Sequence, residues 1–358
     1  MSASATQKRS KLSGKVLTVL GPVNPSELGV TMMHEHLLID ITCYVREAEE
    51  ASVRAYRDKP VTMDWLGNFP ALFWHSMENM RLLDERAAIE EVLKYKYAGG
   101  GALADTTSIR IGRDPLALAR ISRATGLKVV MGGSYYVSLA HPPDMDKRSE
   151  DSIAQELIRD ITIGVGSSGI PSGLIGEVGC SDWPLPKNER KALRASGMAQ
   201  AETGAPISIH TASGEAAKHG ILDALASGGA DPRRVIMGHL DSFIDRGALK
   251  RLAQTGCFME IDVFGWENSL LEASYPGIEW TTDVQRMDSL QYLIEQGHLD
   301  QLVIAQDVCQ KWMYTRYGGK GFAHILENIV PRMRKRGFTE AHLKAILVDN
   351  PARALTFR

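Results

Sequence analysis

Hydrophobic and polar residues alternate along the chain with two different periods. Short apolar runs bounded by glycine or proline are typical of strands that are buried on both faces. Between these runs, apolar residues recur every three to four positions, as Ala88, Val92 and Leu93 do, and this spacing predicts amphipathic helices. The predicted strands are 29–37, 102–107, 127–131, 173–179, 206–210, 235–239, 257–263 and 302–307. The predicted helices are 85–97, 115–125, 153–163, 187–203, 214–227, 248–255, 283–296, 325–336 and 340–348.

Eight strands that are mostly followed by helices predict a (β/α)8 TIM barrel, an α/β fold, in one domain that covers 14–358. A doubly wound open sheet is the alternative arrangement of such units. The open sheet is disfavoured because no G-x-G-x-x-G turn follows the first strand. Functional residues are therefore expected at the carboxyl ends of the barrel strands.

Three segments fall outside this rhythm. Residues 1–13 are polar and are expected to form a frayed arm, and 14–23 predict a short hairpin strand that Gly-Pro ends. Residues 40–82 show no clean period but are rich in aromatic side chains. Such a segment predicts either a lid over the site or ordinary surface packing, and both interpretations remain open. Its aromatic residues include Tyr44, Trp65, Phe69, Phe73 and Trp74.

Composition and charge argue against several classes of protein. The 358 residues include 41 Lys and Arg against 43 Asp and Glu, a formal net charge of −2, which offers no electrostatic basis for binding nucleic acid or an anionic membrane. No secretory signal and no apolar run of roughly 18 residues is seen, so a membrane span is not expected. The four cysteines, Cys43, Cys180, Cys257 and Cys309, are far apart, which fits a reducing cytoplasm better than disulfides.

Candidate metal ligands stand where predicted strands end. His34 and His36 point to the same face of the first strand, with positions about 7 Å apart along the chain. Later predicted strands carry two more histidines and two carboxylates, at or near their carboxyl ends. Closure of the barrel would bring these six ligand groups together at one rim. Such a set suits two borderline divalent ions such as Zn²⁺. The six residues are His34, His36, Glu177, His210, His239 and Asp307.

These motifs resemble those of the phosphotriesterase family of the amidohydrolase superfamily. The resemblance rests on Gly-x-Thr-x-x-His-Glu-His at 29–36, Gly-Glu-Val-Gly at 176–179, His210, His239 and Gln-Asp at 306–307. It extends from about Gly14 to Phe357 and is closest to the branch of phosphotriesterase-related proteins. It implies a (β/α)8 barrel with two divalent metal ions, of which Zn²⁺ is favoured over Mn²⁺, Co²⁺ or Fe²⁺.

The resemblance also implies a role for each ligand. His34, His36 and Asp307 would hold the more buried ion, His210 and His239 the more exposed one, and Glu177 would bridge both. Members that cleave organophosphates use a carboxylated lysine as the bridge, whereas this chain has glutamate.

A second departure from the organophosphate-cleaving members lies on the seventh strand. Those members carry a proton-relay histidine there, and the matching position here is Val263. Asp307 is then expected to pass its proton directly to the leaving group, which suits an amide or alkoxide better than a phenolate.

The expected mechanism follows the family. A hydroxide that bridges the two metal ions attacks the substrate, and Asp307 acts as general base and then general acid. Tyr136 matches a tyrosine that family lactonases point at the metals and is a candidate to support the oxyanion, with packing as the alternative. Side chains after the seventh and eighth strands are candidates for a substrate pocket, with solvent exposure or packing as the alternative. They are Trp266, Lys311, Trp312 and Arg316.

These inferences predict a cytoplasmic hydrolase that cleaves a carboxylic amide, ester or lactone of a small-molecule substrate. An organophosphate triesterase is the first alternative, and a non-catalytic metal-dependent binding protein is the second. A homodimer is compatible with the sequence. No nucleic acid and no membrane is expected as a partner.

Overall fold

Eight parallel strands form the centre of the protein in the computed structural model, which describes residues 12–63, 73–242, 245–267 and 280–358. All eight predicted strands are present, and most are shorter than predicted. Their side chains are almost all buried, as expected for strands covered on both faces. The strands are β1 Val30–Glu35, β2 Gly100–Asp105, β3 Lys128–Met131, β4 Ile175–Gly179, β5 Ile207–His210, β6 Val235–Met237, β7 Phe258–Ile261 and β8 Leu302–Ile304.

The strands pair in chain order as a three-stranded sheet, β1-β2-β3, and a five-stranded sheet, β4 to β8. Backbone hydrogen bonds join the two sheets at both seams. At one seam the Gly173 amide donates to Met131 O at 2.9 Å, and at the other the Asp307 amide donates to His34 O at 3.1 Å. The ring of strands is therefore continuous, and the predicted (β/α)8 barrel is confirmed.

Helices follow the strands and cover the barrel. The sequence predicted three of them to the residue, 85–97, 115–125 and 187–203, because a polar N-cap, an N-terminal proline or a terminal glycine marks their ends. Gly126 and Gly204, for example, end α2 and α4 in the left-handed conformation, with φ of 69° and 74°. The helices are α1 Glu85–Tyr97, α2 Pro115–Thr125, α3 Glu150–Thr162, α4 Lys187–Thr203, α5 Glu215–Ser227, α6 Arg246–Ala253, α7 Asp283–Glu295, α8 Val330–Lys335, α9 Glu340–Lys344 and α10 Asn350–Leu355.

Two irregular features complete the C-terminal part. A π-helical turn, Ile325–Ile329, leads into α8, and a second one, Ala345–Asp349, joins α9 to α10. The sequence predicted only two uninterrupted helices here, because a π-turn leaves the apolar pattern almost unchanged.

The segment 14–23 forms a hairpin of two short strands, with Val16–Thr18 paired antiparallel to Gly21–Val23. Gly21 and Pro22 lie in the second strand and do not end a single strand as predicted. Most of the predicted arm, and Trp65 and Phe69, lie outside the described residues. Ile39–Asp40 pairs with Arg81–Leu82, so the two ends of the 40–82 segment are tied together. Neither this pairing nor the one-turn helix Ala51–Arg54 was predicted, because each is too short for a period.

Within 40–82, the described aromatic residues pack towards the barrel mouth. The rings of Tyr44 and Trp74 are 5.7 Å apart, and Tyr44 lies edge-to-face with Tyr136 at 6.0 Å. The role of this segment as a lid stays a prediction. Along the described parts of the chain, no helix combines the length and the apolar character that crossing a bilayer requires.

Candidate metal centre

Glu177, near the end of β4, lies at the centre of the six predicted ligands. Its Oε2 atom is 3.3 Å from His34 Nε2 and 3.3 Å from His210 Nδ1, and Oε1 is 3.5 Å from His36 Nε2. His239 Nε2 lies 3.7 Å from Oε2. One carboxylate thus faces four imidazoles, the position that a bridging ligand requires.

The ligand atoms fall into two groups that share this centre. His34, His36 and Asp307 form one group, with Asp307 Oδ1 at 3.3 Å from His36 Nε2. Glu177, His210 and His239 form the other, and in each group the atoms lie within 4.8 Å of one another. A third group, His34, His239 and Asp262, overlaps both. The structure thus brings the six predicted residues together, and their division between two ions stays a prediction.

Hydrogen bonds at the far side of each ring orient three of the histidines. His36 Nδ1 lies 2.9 Å from the Thr107 hydroxyl, which itself donates to Leu38 O, so the imidazole supplies the proton. His239 Nδ1 lies 2.9 Å from Asp262 Oδ1, and His34 Nδ1 lies 3.3 Å from Glu260 Oε2. Protons on these nitrogens leave each Nε2 lone pair facing the centre, as metal-binding histidines require.

A divalent ion fits the chemistry of this donor set. His34 Nε2 and Glu177 Oε2 are buried polar atoms without a hydrogen-bond partner among the described residues. Leaving such atoms unpaired in a protein interior costs about 1–3 kcal/mol each, and a shared cation would remove that cost. His239 Nε2 and His210 Nδ1 share a hydrogen bond of 2.8 Å, so both ring nitrogens face one small volume.

The side chains of the site shift one another's pKa values strongly. Burial opposes ionisation of Glu177, but the neighbouring His34 charge and the close imidazoles of His210 and His239 hold its pKa well below the usual range. Burial also opposes protonation of His239, and Asp262 nevertheless raises its pKa well above the usual value. For His210, burial and the His239 charge together lower the pKa. The Glu177 carboxylate is thus stabilised by positive charge, as a metal site would provide.

Two ligands occupy strained backbone positions just beyond their strands. His239 has φ of 53° and Asp307 has φ of 48°, which few non-glycine residues adopt. These turns explain why β6 and β8 end earlier than predicted. Such strain is typical of functional residues that the surrounding structure holds in place.

Gly176 lies beside Glu177 at a position where the backbone of β4 packs closely against β5. Its φ is 128°, and a Cβ atom at this position would lie 2.3 Å from Ser208 O on the neighbouring strand. The Gly-Glu sequence of the motif therefore allows β4 to approach β5 closely where Glu177 enters the site.

Glu35, between the two histidines of β1, points away from the centre as predicted, and it positions Asp307 from behind. Its carboxylate accepts from the Gln306 amide at 2.8 Å, the Gln306 side chain at 2.7 Å and the Val308 amide at 3.0 Å. The residues on both sides of Asp307 are thereby held by one carboxylate. Sequence reasoning missed this role, because the partner lies at the other end of the chain.

Sequence reasoning also missed Glu260 and Asp262, which orient His34 and His239. A signal was present, since Glu-x-Asp at the end of a predicted strand places both carboxylates on one face. His34 Nδ1 lies 3.4 Å from Asp262 Oδ2, so Asp262 contacts two ligand histidines.

Tyr136 follows β3 and points at the metal-ligand cluster. Its hydroxyl lies 3.3 Å from His210 Nδ1. Burial and the nearby Tyr44, with which it shares a hydrogen bond, raise the Tyr136 pKa well above the usual value, so the phenol stays protonated. It can therefore donate to an oxygen that becomes negatively charged in the cavity.

A cavity of about 260 Å³ opens beside the ligand cluster. His210, His239 and Asp307 line it, and so does Val263, the position where the organophosphate-cleaving members carry histidine. Two cations, Lys218 and Arg286, also line it. Much of the remaining wall is aromatic: Tyr44, Trp74, Tyr136, Trp266 and Trp280.

The four tentative pocket residues are placed differently from one another. Trp266 lines the cavity, and Trp312 packs behind it with ring centroids 6.1 Å apart. Lys311 forms an ion pair with Glu78, and Arg316 lies 3.8 Å from Glu90. Neither cation is among the described residues that line the cavity.

Comparisons with known proteins show which family the chain belongs to. The model of the Phosphotriesterase family matches residues 14–355. N-acetyltaurine hydrolase from Salmo salar is 39% identical over 357 residues, covering 98% of this chain and all of that protein. Phosphotriesterase-related protein from Nematostella vectensis is 37% identical over 353 residues, covering 97% of this chain and 99% of that protein.

A solved structure shows the same architecture. The chain is similar to a resiniferatoxin-binding protein from Rhodobacter sphaeroides, with a TM-score of 0.91 and 34% identity over 96% of this chain and 95% of that one. The resemblance drawn from the His-Glu-His, Gly-Glu-Val-Gly and Gln-Asp motifs is therefore confirmed.

Proposed function

The chain belongs to the phosphotriesterase family and is a hydrolase, and on this premise we propose that it uses two divalent metal ions to cleave the amide bond of a small N-acyl amine. The convergence of four histidines and Asp307 around Glu177 carries the proposal. Relatives over the full length that are called N-acetyltaurine hydrolase support an amide over an ester, a lactone or a phosphotriester.

The chain's own residues would hold the ions in two positions. His34, His36 and Asp307 would bind one, His210 and His239 the other, and Glu177 would contact both. Bound ions would polarise the scissile carbonyl and lower the pKa of water. The mixed nitrogen and oxygen donors favour Zn²⁺, and Mn²⁺, Co²⁺ or Fe²⁺ are compatible with them.

Asp307 is placed to move the proton of the reaction. Its carboxylate lines the cavity, whereas Glu35 holds the backbone on both sides of it. Water adds to the carbonyl carbon as Asp307 takes its proton, and the same proton passes to the nitrogen as the C–N bond breaks. An amine must be protonated to leave, and Val263 offers no competing route for the proton.

Tyr136 and the aromatic wall complete the assignment. The protonated phenol of Tyr136 donates to the carbonyl oxygen as negative charge develops there. Tyr44, Trp74, Trp266 and Trp280 exclude bulk water from the cavity, which strengthens this hydrogen bond.

The test is a substrate panel with protein that has been loaded with zinc or manganese. The panel contains N-acetyltaurine and other N-acyl amines, simple lactones and aryl dialkyl phosphotriesters. We expect kcat/KM to be highest for an N-acyl amine. Higher kcat/KM for a phosphotriester, or ligand binding without turnover of any class, would contradict the proposal and favour a triesterase or a binding protein.

A further inference from the structure

Lys218 is a buried cation inside the cavity that the proposed mechanism does not use. It lies on α5, is only 1% exposed, and lines the same cavity as His210, His239 and Asp307. Its ammonium group donates to Ala212 O at 2.8 Å, two residues after the ligand His210. The charge is therefore held close to the reaction centre but does not belong to it.

Arg286, the second cation that lines the cavity, forms ion pairs with two carboxylates. Arg286 lies 3.0 Å from Asp241 and 2.8 Å from Asp283, and it is 1% exposed. Its charge is thus committed to the packing of α7 against the end of β6. Lys311, one of the cations that the sequence suggested for the substrate pocket, pairs with Glu78 away from the cavity lining.

The immediate surroundings of Lys218 suit an anion. Cys180, Ser181, Thr211 and Ser213 line the same cavity, and the exposed Ser213 lies two residues before the start of α5. No side chain caps α5, because its N-cap residue is Gly214. The amide groups of its first turn therefore add positive potential beside the ammonium group.

Electrostatics support a ligand with negative charge. Burial lowers the pKa of Lys218 to about 8, and the neighbouring Cys180 offsets this only in part. The ammonium form is thus retained at neutral pH at a cost in free energy. A bound anion would recover part of that cost.

We propose that Lys218 binds an anionic group, a sulfonate or a carboxylate, which the substrate carries at a distance from its scissile bond. The proposal rests on the amide hydrolase function above and specifies its substrate class as acidic N-acyl amines. Lys218 acts as a specificity residue that binds substrate, and Ser213, which follows the Ala212 that Lys218 contacts, supplies a hydroxyl to the same cavity.

Paired substrates separate this role from catalysis. N-acetyltaurine carries a sulfonate, N-acetyl-β-alanine a carboxylate, and N-acetylpropylamine neither. Lys218→Met conserves length and removes the charge, and the exposed Lys147→Met is the matched control. We expect Lys218→Met to lower kcat/KM for an acidic substrate by about 10- to 100-fold, mainly through KM, and to leave the neutral amide within a few-fold. The acidic substrate with the larger loss identifies the anion.

An equal loss for acidic and neutral amides would overturn the proposal, as would no loss in Lys218→Met. Lys218→Gln, which keeps a polar side chain of similar size, provides the same comparison if the methionine variant does not fold.

A binding measurement keeps this inference distinguishable from failure of the proposed hydrolase function. Ethanesulfonate and propionate are titrated into the metal-loaded protein, and the shift in melting temperature is recorded against the neutral propionamide. We expect one or both anions to stabilise the wild type and Lys147→Met, but not Lys218→Met. No stabilisation by either anion, or equal stabilisation of all three proteins, would overturn the role of Lys218 even if amides are hydrolysed.

Discussion

Both oxygens of Asp262 hold His239. Oδ1 lies 2.9 Å from the His239 Nδ1 atom, and Oδ2 accepts from the His239 backbone amide at 2.9 Å. Asp262 is fully buried, and burial alone would raise its pKa. The charge of His239 outweighs this effect and lowers the Asp262 pKa below the usual range. The carboxylate thus determines both the ring orientation and the nitrogen that carries the proton.

Asp262→Asn tests this relationship. Asparagine removes the charge that favours a proton on His239 Nδ1, so we expect affinity for the metal at His210 and His239 to fall about 10- to 100-fold. Competition with a chromophoric chelator measures the affinity at each site. The exposed Asp223→Asn provides the control. Two unchanged affinities in Asp262→Asn would show that the contact is not needed for metal binding.

Glu177→Gln tests the bridging position. Wild-type protein produced with excess zinc should contain about two ions per chain, and the variant should contain one or none, because the amide lacks the charge between the cations. Elemental analysis of folded, dialysed protein measures the content. Glu177→Lys with bicarbonate restores a carboxylate if the lysine becomes carboxylated. Two tightly held ions in Glu177→Gln would rule out the bridge.

Asp307→Asn separates metal binding from proton transfer. Asparagine retains an oxygen for coordination but takes no proton at neutral pH. With metal restored by excess zinc, we expect kcat to remain lower by roughly 10²–10⁴-fold, the usual worth of general acid–base catalysis. The measurement is kcat on the best substrate of the panel at confirmed metal content. A metal-replete variant within a few-fold of wild type would remove the proton-transfer role and leave the metal site intact.

Tyr136→Phe tests support of the developing oxyanion. The ring, its packing on Tyr44 and the apolar cavity wall are retained, and only the hydroxyl near His210 is lost. We expect kcat to fall by about 10²–10³-fold with little change in KM, because the hydrogen bond strengthens in the transition state. Tyr44→Phe is the matched comparison. A purely packing role for Tyr136 would leave kcat within a few-fold.

The pH dependence of the free energy of unfolding at alkaline pH tests the lowered pKa of the buried Lys218. Its pKa is about 8 in the folded protein, against 10.5 for an ordinary lysine. Between these values the unfolded chain binds more protons than the folded one, so the free energy of unfolding rises with pH relative to Lys218→Met. Below about pH 8 and above about pH 10.5 the difference is constant. Melting temperatures of both proteins from pH 7 to 10.5 test this, and a difference that does not change with pH would contradict it.

The sequence by itself determined the βα rhythm and indicated six candidate metal ligands. Helix ends at 97, 125 and 203 were predictable because local signals, such as Gly126 and Gly204, act within one turn. The six ligands were predictable because barrel closure brings strand ends together whatever the details of packing.

Only the tertiary structure decided which side chains support and surround those ligands. Glu35 reaches the amides around Asp307, and Asp262 reaches His239, across large separations in sequence that no local pattern reveals. Among the cations, the structure places Lys218 in the cavity and Lys311 on Glu78. The physical reason is that strand ends are positioned by the regular hydrogen-bonded sheet, whereas loops and buried charges are positioned by the neighbours they meet after folding.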